Sequence, residues 1–198
     1  MTTATTTPPP KVWTTEDLLA LPDDGVERWI INGQLREKPP EFPGVTMAVR
    51  NRHHSKIMAL VTGAILAWIR TQPRPRGDVY CGEVGVKLPG RTTTVGVDVV
   101  YVAHDVVAAQ DDTTTLIDGV PTLAVEILSP NDTQEQIDEK IDGYRAAGVP
   151  LTWVIHPHHR TVTLHRPGHE PELFNVTHHM PASPHMPGFA PPVAELFE

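Results

Sequence analysis

The segment from residue 121 to residue 155, PTLAVEILSPNDTQEQIDEKIDGYRAAGVPLTWVI, constrains the fold of this chain more than any other. Apolar runs stand at both ends, a Ser-Pro turn follows the first run, and a polar stretch with helical spacing lies between them. This order predicts strand, turn, helix, turn and strand. Two charges break the pattern, because Glu126 interrupts the first strand and Lys140 lies on the apolar face of the helix. A buried charge is costly unless it is paired or bound to a metal ion.

The rest of the chain supplies further elements for one sheet. Helical spacing predicts a short capped helix from Thr14 and the longest helix from His54 to Arg70. Alternation and β-branching predict a hairpin and three further strands, at 26–35, 79–88, 93–102 and 160–168. Residues 103–120 are expected to form a polar loop, and the C-terminal VAELF is expected to pack on the body. The order predicts an α/β (α+β) fold with a mixed sheet flanked by helices.

Length and composition limit the class of protein. The 198 residues are 39% hydrophobic and 20% charged, so we expect one globular domain at 13–198 and a disordered Thr- and Pro-rich tail at 1–12. No signal-peptide core and no membrane-spanning apolar run is present. The single cysteine, Cys81, excludes an internal disulfide and predicts a cytoplasmic location. The net charge of -8 counts against tight non-specific binding of DNA by the monomer.

Asp98 repeats the feature that makes Glu126 unusual. Both faces of its strand are otherwise built from valine, glycine and tyrosine, so one carboxylate lies in an apolar central strand. The same is true of Glu126 between Val125 and Ile127. Two plainer interpretations remain open. Asp98 could be solvated or hydrogen-bonded near a strand end, and Glu126 could form a structural salt bridge.

Lys140 is the most informative of the three. The buried arc of its helix is defined by Ile137, Ile141, Tyr144 and Ala147. Lys140 falls inside this arc, whereas the acidic residues of the helix point elsewhere. A lysine at the edge of the arc can extend to solvent, but a carboxylate partner such as Glu126 is the simpler expectation. Two carboxylates and a lysine on adjacent elements predict a divalent-metal site, and oxygen ligands suit Mg²⁺ or Mn²⁺.

Five segments together match the pattern of a known family. They are LLALPDDGVERWIINGQL, HHSKI, VGVDVVYV, the 121–157 segment and MPGFAPPVAELF. With them the chain resembles the Uma-type restriction endonuclease family of the PD-(D/E)XK nuclease superfamily over most of its length. The resemblance implies a restriction-endonuclease-like core, DNA as substrate, and Asp98 and Glu126 as ligands of Mg²⁺ or Mn²⁺. It also makes a homodimer plausible, because cutting two strands suits two sites related by a two-fold axis.

The chain departs from the family pattern at three positions. The superfamily lysine usually lies two residues after the glutamate, where this chain has Leu128. In the Uma-type pattern the lysine lies on the following helix, and Lys140 matches it. The family often has proline before the aspartate and an aspartate later in the chain, where this chain has Val97 and His156.

Three further residues are candidates for accessory roles. Glu27 matches a glutamate that is frequent in the family, but it could equally brace Arg28 or nearby backbone. Glu83 could add a carboxylate, although a solvated strand position is favoured. His54 could contact phosphate or metal, although a helix-capping or surface position is favoured. The His-rich turn at 156–159 is interpreted as an exposed hairpin turn in preference to a metal site.

Three functions fit these features. The favoured one is metal-dependent hydrolysis of DNA phosphodiester bonds, with Asp98 and Glu126 binding the ion and Lys140 orienting water or stabilising charge. The acidic net charge leaves open a degenerate nuclease fold that serves as a binding or assembly module. The third is a metal-dependent hydrolase of a small phosphorylated substrate, for which the sequence selects no substrate.

Overall fold

A computed structural model describes residues 11–38, 51–90, 92–111, 113 and 115–198. Its helices are α1 (Thr15–Leu19), α2 (Arg52–Thr71), α3 (His104–Ala108) and α4 (Gln134–Ala147), with a 3-10 turn at Val193–Leu196. Its strands are β1 (Glu27–Ile31), β2 (Gln34–Lys38), β3 (Asp78–Leu88), β4 (Thr93–Val102), β5 (Ile117–Asp118), β6 (Leu123–Ile127), β7 (Leu151–His156), β8 (Thr161–His165) and β9 (Glu172–Asn175). The tail predicted at 1–12 lies outside the described residues as far as residue 10, and the division into tail and domain stays a prediction.

The nine strands of the described residues form one mixed sheet. The path runs β2-β1-β4-β6-β7-β8-β9, and β3 pairs with β4 and with β5. The β6–β7 and β3–β5 pairs are parallel, and the other neighbours are antiparallel. Because β6 and β7 are parallel, α4 must cross one face of the sheet to connect them. The predicted mixed sheet flanked by helices is confirmed.

Each face of the sheet carries its own apolar cluster. On one face, α2 contributes Ile57, Val61 and Ile65 to a cluster that also contains Leu196 of the C-terminal turn. The expectation that VAELF packs on the body is therefore confirmed. Tyr144 of α4 belongs to the cluster on the other face. Burial of each large aliphatic side chain contributes about 1.5–3 kcal/mol, so these clusters fix both helices on the sheet.

Strand β6 shows how this two-faced packing sets the direction of Glu126. Side chains alternate along a strand. Leu123, Val125 and Ile127 belong to the cluster under α2, whereas Ala124 belongs to the cluster on the opposite face. Glu126 shares the face of Ala124 and therefore points toward α4.

The sequence predicted most elements correctly and one region wrongly. The segment 103–120 is not a uniform polar loop, because it contains α3 and the short strand β5. Val106 and Val107 pack against the second apolar cluster. The many aspartates of this stretch had favoured a polar loop in the sequence. Strand β9 was not predicted at all, since it is an edge strand with only half-buried alternate positions. No helix of the described segments is both long and apolar enough to cross a membrane.

Candidate active site

The site lies where one edge of β4 changes its partner strand. Thr94 pairs with Ile30 of β1, whereas Val99 pairs with Val125 of β6. In the described structure the ladders leave residues 95–98 without a strand partner on this edge. A split between neighbouring strands of this kind forms a crevice in which functional side chains can collect.

Two side chains supply hydrogen bonds at this split. The backbone N–H of Ile127 donates to Asp98 Oδ2 at 2.7 Å. Lys140 Nζ donates to the carbonyl oxygen of Gly96 at 3.2 Å. Asp98 is only 6% exposed, so its predicted position inside an apolar strand is confirmed; the solvated alternative is wrong, whereas the hydrogen-bonded one agrees with the contact to Ile127. Its carboxylate is fixed at the end of β6.

Glu126 and Lys140 form a buried ion pair. Lys140 Nζ lies 2.9 Å from Glu126 Oε2, and the hydroxyl of Tyr144 donates to Glu126 Oε1. The prediction that Lys140 points at the sheet and meets a carboxylate is confirmed, and Leu128 packs on a small apolar cluster instead. Tyr144 was assigned only to the core by the sequence. Tyr144 lies four residues after Lys140 and therefore on the same helix face, so the sequence already indicated that its hydroxyl could reach Glu126.

The ionisation of this group follows from burial and mutual contact. Burial, and next the charge of Asp98, raise the pKa of Glu126 to about 7 against the opposing influence of Lys140 and Tyr144. Burial lowers the pKa of Lys140, but attraction to nearby carboxylates, Glu126 first, outweighs it and raises that pKa overall. Burial and the charge of Glu126 raise the pKa of Tyr144 well above its usual value. At neutral pH, Lys140 is therefore cationic and Tyr144 is a hydrogen-bond donor.

The pKa of Glu126 predicts a pH-dependent stability in the absence of divalent ions. The pKa of Glu126 rises from 4.5 to about 7 on folding. Across this pH interval the native state therefore binds more protons than the unfolded chain. The free energy of unfolding is therefore expected to fall as pH rises through it, by about 1–3 kcal/mol. Urea unfolding in EDTA at about pH 5 and about pH 8 measures the fall. Glu126→Gln should lack this component, and the same pH dependence in both proteins would contradict the prediction.

His54 joins the cluster from the first turn of α2. It is 6% exposed, and its Nε2 lies 3.1 Å from Asp98 Oδ1. The helix begins at Arg52 and is capped by Asn51, whose side chain accepts from His53 N–H. The favoured capping or surface position of His54 is therefore wrong, because His54 lies inside the helix in phase with the buried residues Ile57 and Val61. His54 Nδ1 is buried and has no hydrogen-bond partner in the described part of the chain.

The hairpin β1–β2 contributes a second basic side chain. Lys38 Nζ donates to Asp132 Oδ1 and, at 3.0 Å, to Ser129 Oγ, both in the loop before α4. It also lies 3.8 Å from a carboxylate oxygen of Glu27. Arg28 pairs with other acidic side chains, so Glu27 does not brace it. Lys38 was not among the residues predicted from the sequence, although the register of the hairpin places it opposite Glu27.

One small cavity connects these residues. Asp98, Glu126 and Lys140 line it, and the accessory candidates Glu27, His54 and Glu83 line it as well. Glu83 lies in a β-bulge of β3 with a φ of 57°, and it is half-buried where a solvated position was favoured. The cavity volume is about 20 Å³, which is room for one water-sized species.

The chemistry of the lining suits a hard cation. Within the described chain, five carboxylates and two lysines line the cavity: Glu27, Glu83, Asp98, Glu126, Asp132, Lys38 and Lys140. No set of three or more His, Cys, Asp or Glu in the described residues is arranged to hold a metal ion by itself. Mg²⁺ is commonly bound by only one or two carboxylates, with water and substrate phosphate completing its shell. The residues present therefore fit Mg²⁺ or Mn²⁺ better than a metal that needs a full protein cage. The His-rich turn is apart from the cavity lining, with His158 and His159 exposed as favoured.

Comparisons with known proteins agree with this architecture. A family model described as "Uma2: Putative restriction endonuclease" matches residues 15–194. A solved structure, "a putative nuclease belonging to DUF820 from Anabaena variabilis ATCC 29413", is similar with a TM-score of 0.74 and 20% sequence identity. The similarity covers 93% of this chain and 97% of that one, and at such identity it shows the fold alone. None of the curated proteins gives a significant match.

Proposed function

The chain belongs to the Uma2 family, and from this premise we propose that it is a divalent-metal-dependent endonuclease that hydrolyses DNA phosphodiester bonds. One observation carries the proposal. Asp98, Glu126 and Lys140 come from two strands and a helix, are each buried, and meet at one small cavity. Buried charges that gather in a cleft are more typical of a functional site than of a structural core.

Each of the three residues has a defined part in this proposal. Asp98 and Glu126 would hold Mg²⁺ or Mn²⁺, which when bound polarises a phosphoryl oxygen and lowers the pKa of an attacking water. Lys140 opposes the rise in the pKa of Glu126, and this favours the ionised carboxylate that a cation requires. Its ammonium also places positive charge beside the site where the phosphoryl oxygens gain negative charge.

His54 is proposed to position Asp98 for the ion. The contact between His54 Nε2 and Asp98 Oδ1 leaves the carboxylate less free to rotate. Loss of a partner that orients a ligand typically costs about 10–100-fold in metal affinity, and we expect this for His54→Ala. His54→Gln, whose amide can donate, should recover part of the loss. Calorimetric titration with Mn²⁺ measures the affinity.

The neighbouring histidine provides the matched control for this prediction. His53 is exposed on the same helical turn, so His53→Ala should leave Mn²⁺ affinity unchanged. Thermal unfolding of each variant identifies any that has lost its fold. Equal Mn²⁺ affinity in the wild type and a folded His54→Ala protein would rule out the positioning role.

Plasmid nicking tests the proposed function itself. The wild type should convert supercoiled plasmid to the open-circular form with Mg²⁺ or Mn²⁺ and leave it intact in EDTA. Asp98→Asn should be inactive and Lys140→Met severely impaired, whereas Asp142→Asn, on the exposed side of α4, should be as active as the wild type. Equal nicking by all of these proteins would exclude the site.

A binding or assembly module without catalysis is the second candidate function. It is favoured by the observation that both carboxylate oxygens of Glu126 already accept hydrogen bonds, from Lys140 and Tyr144. If this arrangement excludes cations, calorimetry will detect no divalent binding by the folded wild type. The homodimer and the cytoplasmic location remain predictions, and light scattering in solution tests the first.

A further inference from the structure

The inner face of the β1–β2 hairpin forms one wall of the cavity. Cross-strand pairing places four of its residues on one face: Glu27, Trp29, Arg36 and Lys38. Arg36 makes a two-pronged contact with Glu139 of α4, with both distances 2.7 Å. Lys38 contacts Asp132 in the loop before that helix. The hairpin therefore brings a second lysine to the carboxylates, in addition to Lys140.

The two lysines lie at different depths. Exposed side-chain fractions are 5% for Glu126 and 8% for Lys140. They are 13% for Lys38 and 15% for Asp132. Asp98 belongs to the deep group, at 8%. Lys38 and Asp132 thus mark the mouth of the cavity, and the ion pair of Glu126 marks its floor.

The partners of the two lysines also differ. Lys140 bonds to Glu126 and to a backbone carbonyl, which fixes its ammonium at the floor. Lys38 bonds to Asp132 Oδ1 and to Ser129 Oγ, and Asp132 Oδ2 also accepts from the N–H and hydroxyl of Ser129 at 2.6 and 3.0 Å. If Lys38 moves away, Asp132 keeps two hydrogen bonds. The ammonium of Lys38 can therefore exchange one anionic partner for another without leaving the Asp132 carboxylate free of hydrogen bonds.

We propose that Lys38 binds a backbone phosphate of nucleic acid at the mouth of the cavity and exchanges Asp132 for a phosphate oxygen. This inference rests on the proposed function. A cavity of about 20 Å³ does not admit a phosphodiester group, so the substrate meets the mouth before the floor. A lysine ammonium is a compact point charge that suits a phosphate oxygen. Asp132 then acts as the resting partner that competes with substrate.

The salt dependence of DNA binding tests this assignment. Fluorescence anisotropy of a short labelled duplex in EDTA gives the binding constant at several salt concentrations without requiring cleavage. Lys38→Met should weaken binding about tenfold and make the slope of log K against log salt shallower by about 1, the effect of one phosphate contact. Asp132→Asn should keep the wild-type slope and bind as tightly as the wild type or more tightly, because it removes the competing carboxylate.

Lys87 provides the matched control. It is an exposed lysine of β3 paired with Asp118, it does not line the cavity, and Lys87→Met should retain the wild-type slope. Thermal unfolding confirms that each variant is folded. If Lys38→Met and Asp132→Asn lose DNA affinity equally, the ion pair has only a structural role and the proposal is overturned. A wild-type slope in Lys38→Met, or no salt-dependent binding by the wild type, would also overturn it.

This experiment is independent of the nicking assay. Wild-type protein that binds DNA through Lys38 but nicks no plasmid with any divalent ion would reject the nuclease function and support the phosphate contact. Wild-type protein that nicks plasmid while Lys38→Met retains the full slope would reject the phosphate contact alone.

Discussion

Replacing Lys140 with methionine is expected to reduce plasmid nicking by about 10²–10³-fold and to lower the free energy of unfolding by about 3 kcal/mol. Methionine keeps much of the volume of the side chain but removes its charge. Glu126, 4% exposed, then has no cationic partner, and breaking a buried pair on one side is strongly destabilising. Protonation of Glu126 relieves part of this cost and at the same time removes the charge that a metal ligand needs.

A double variant tests whether the loss of stability in Lys140→Met comes from the unpaired charge of Glu126. Glu126→Gln combined with Lys140→Met leaves no buried charge at this pair, and Tyr144 retains an acceptor in the amide. Its free energy of unfolding should exceed that of Lys140→Met by about 1–2 kcal/mol, while nicking stays absent. Urea unfolding and the plasmid assay measure the two properties. If nicking recovers in the double variant, neither Glu126 nor Lys140 is needed for catalysis and the proposed site fails.

Asp98→Asn is expected to abolish divalent binding and nicking while leaving the fold intact. The amide oxygen can still accept from the backbone N–H of Ile127, and His54 can change tautomer to face the new amide group. The change in the free energy of unfolding should therefore be below about 1 kcal/mol. Mn²⁺ affinity should fall by more than about 100-fold. Removing a metal ligand costs more affinity than removing a residue that only orients a ligand.

Asp142→Asn is the control for this substitution, because the side chain of Asp142 on α4 is 71% exposed. It carries the same loss of one negative charge and should bind Mn²⁺ as the wild type does. Retained Mn²⁺ affinity in Asp98→Asn would mean that Asp98 is a structural acceptor for β6 and that any metal binds elsewhere.

The sequence predicted the central unit well because its signals were local. Helical phase alone placed Lys140 among the buried positions of α4, and strand alternation placed Glu126 on one face of β6. A buried lysine then needed a partner, and the adjacent strand offered one carboxylate. The ion pair between Glu126 and Lys140 follows from these three steps. Asp98, a second carboxylate in an apolar strand, was joined to this site by the same residue pattern, and the resemblance to a known family implied the same ligands.

The parts that the sequence did not predict depend on contacts between distant segments. Lys38 and Asp132 are 94 residues apart, and only the placement of β1 beside β4 brings them together. His54 was assigned to the surface because it was placed at the N-terminal end of the helix, whereas α2 begins two residues earlier and His54 shares the buried face of Ile57 and Val61 and reaches Asp98. Tyr144 resembled a core aromatic in the sequence. Its hydroxyl donates a hydrogen bond to Glu126, a contact that depends on the burial of that carboxylate beside α4.

The most direct test of the metal site is a crystal soaked in Mn²⁺ at the concentration that saturates plasmid nicking. The Mn²⁺ ion is identified by its anomalous scattering. We predict one strong peak in contact with the carboxylates of Asp98 and Glu126, next to the ammonium of Lys140. An empty cavity at that concentration, or a peak confined to the His-rich turn at 156–159, would contradict it.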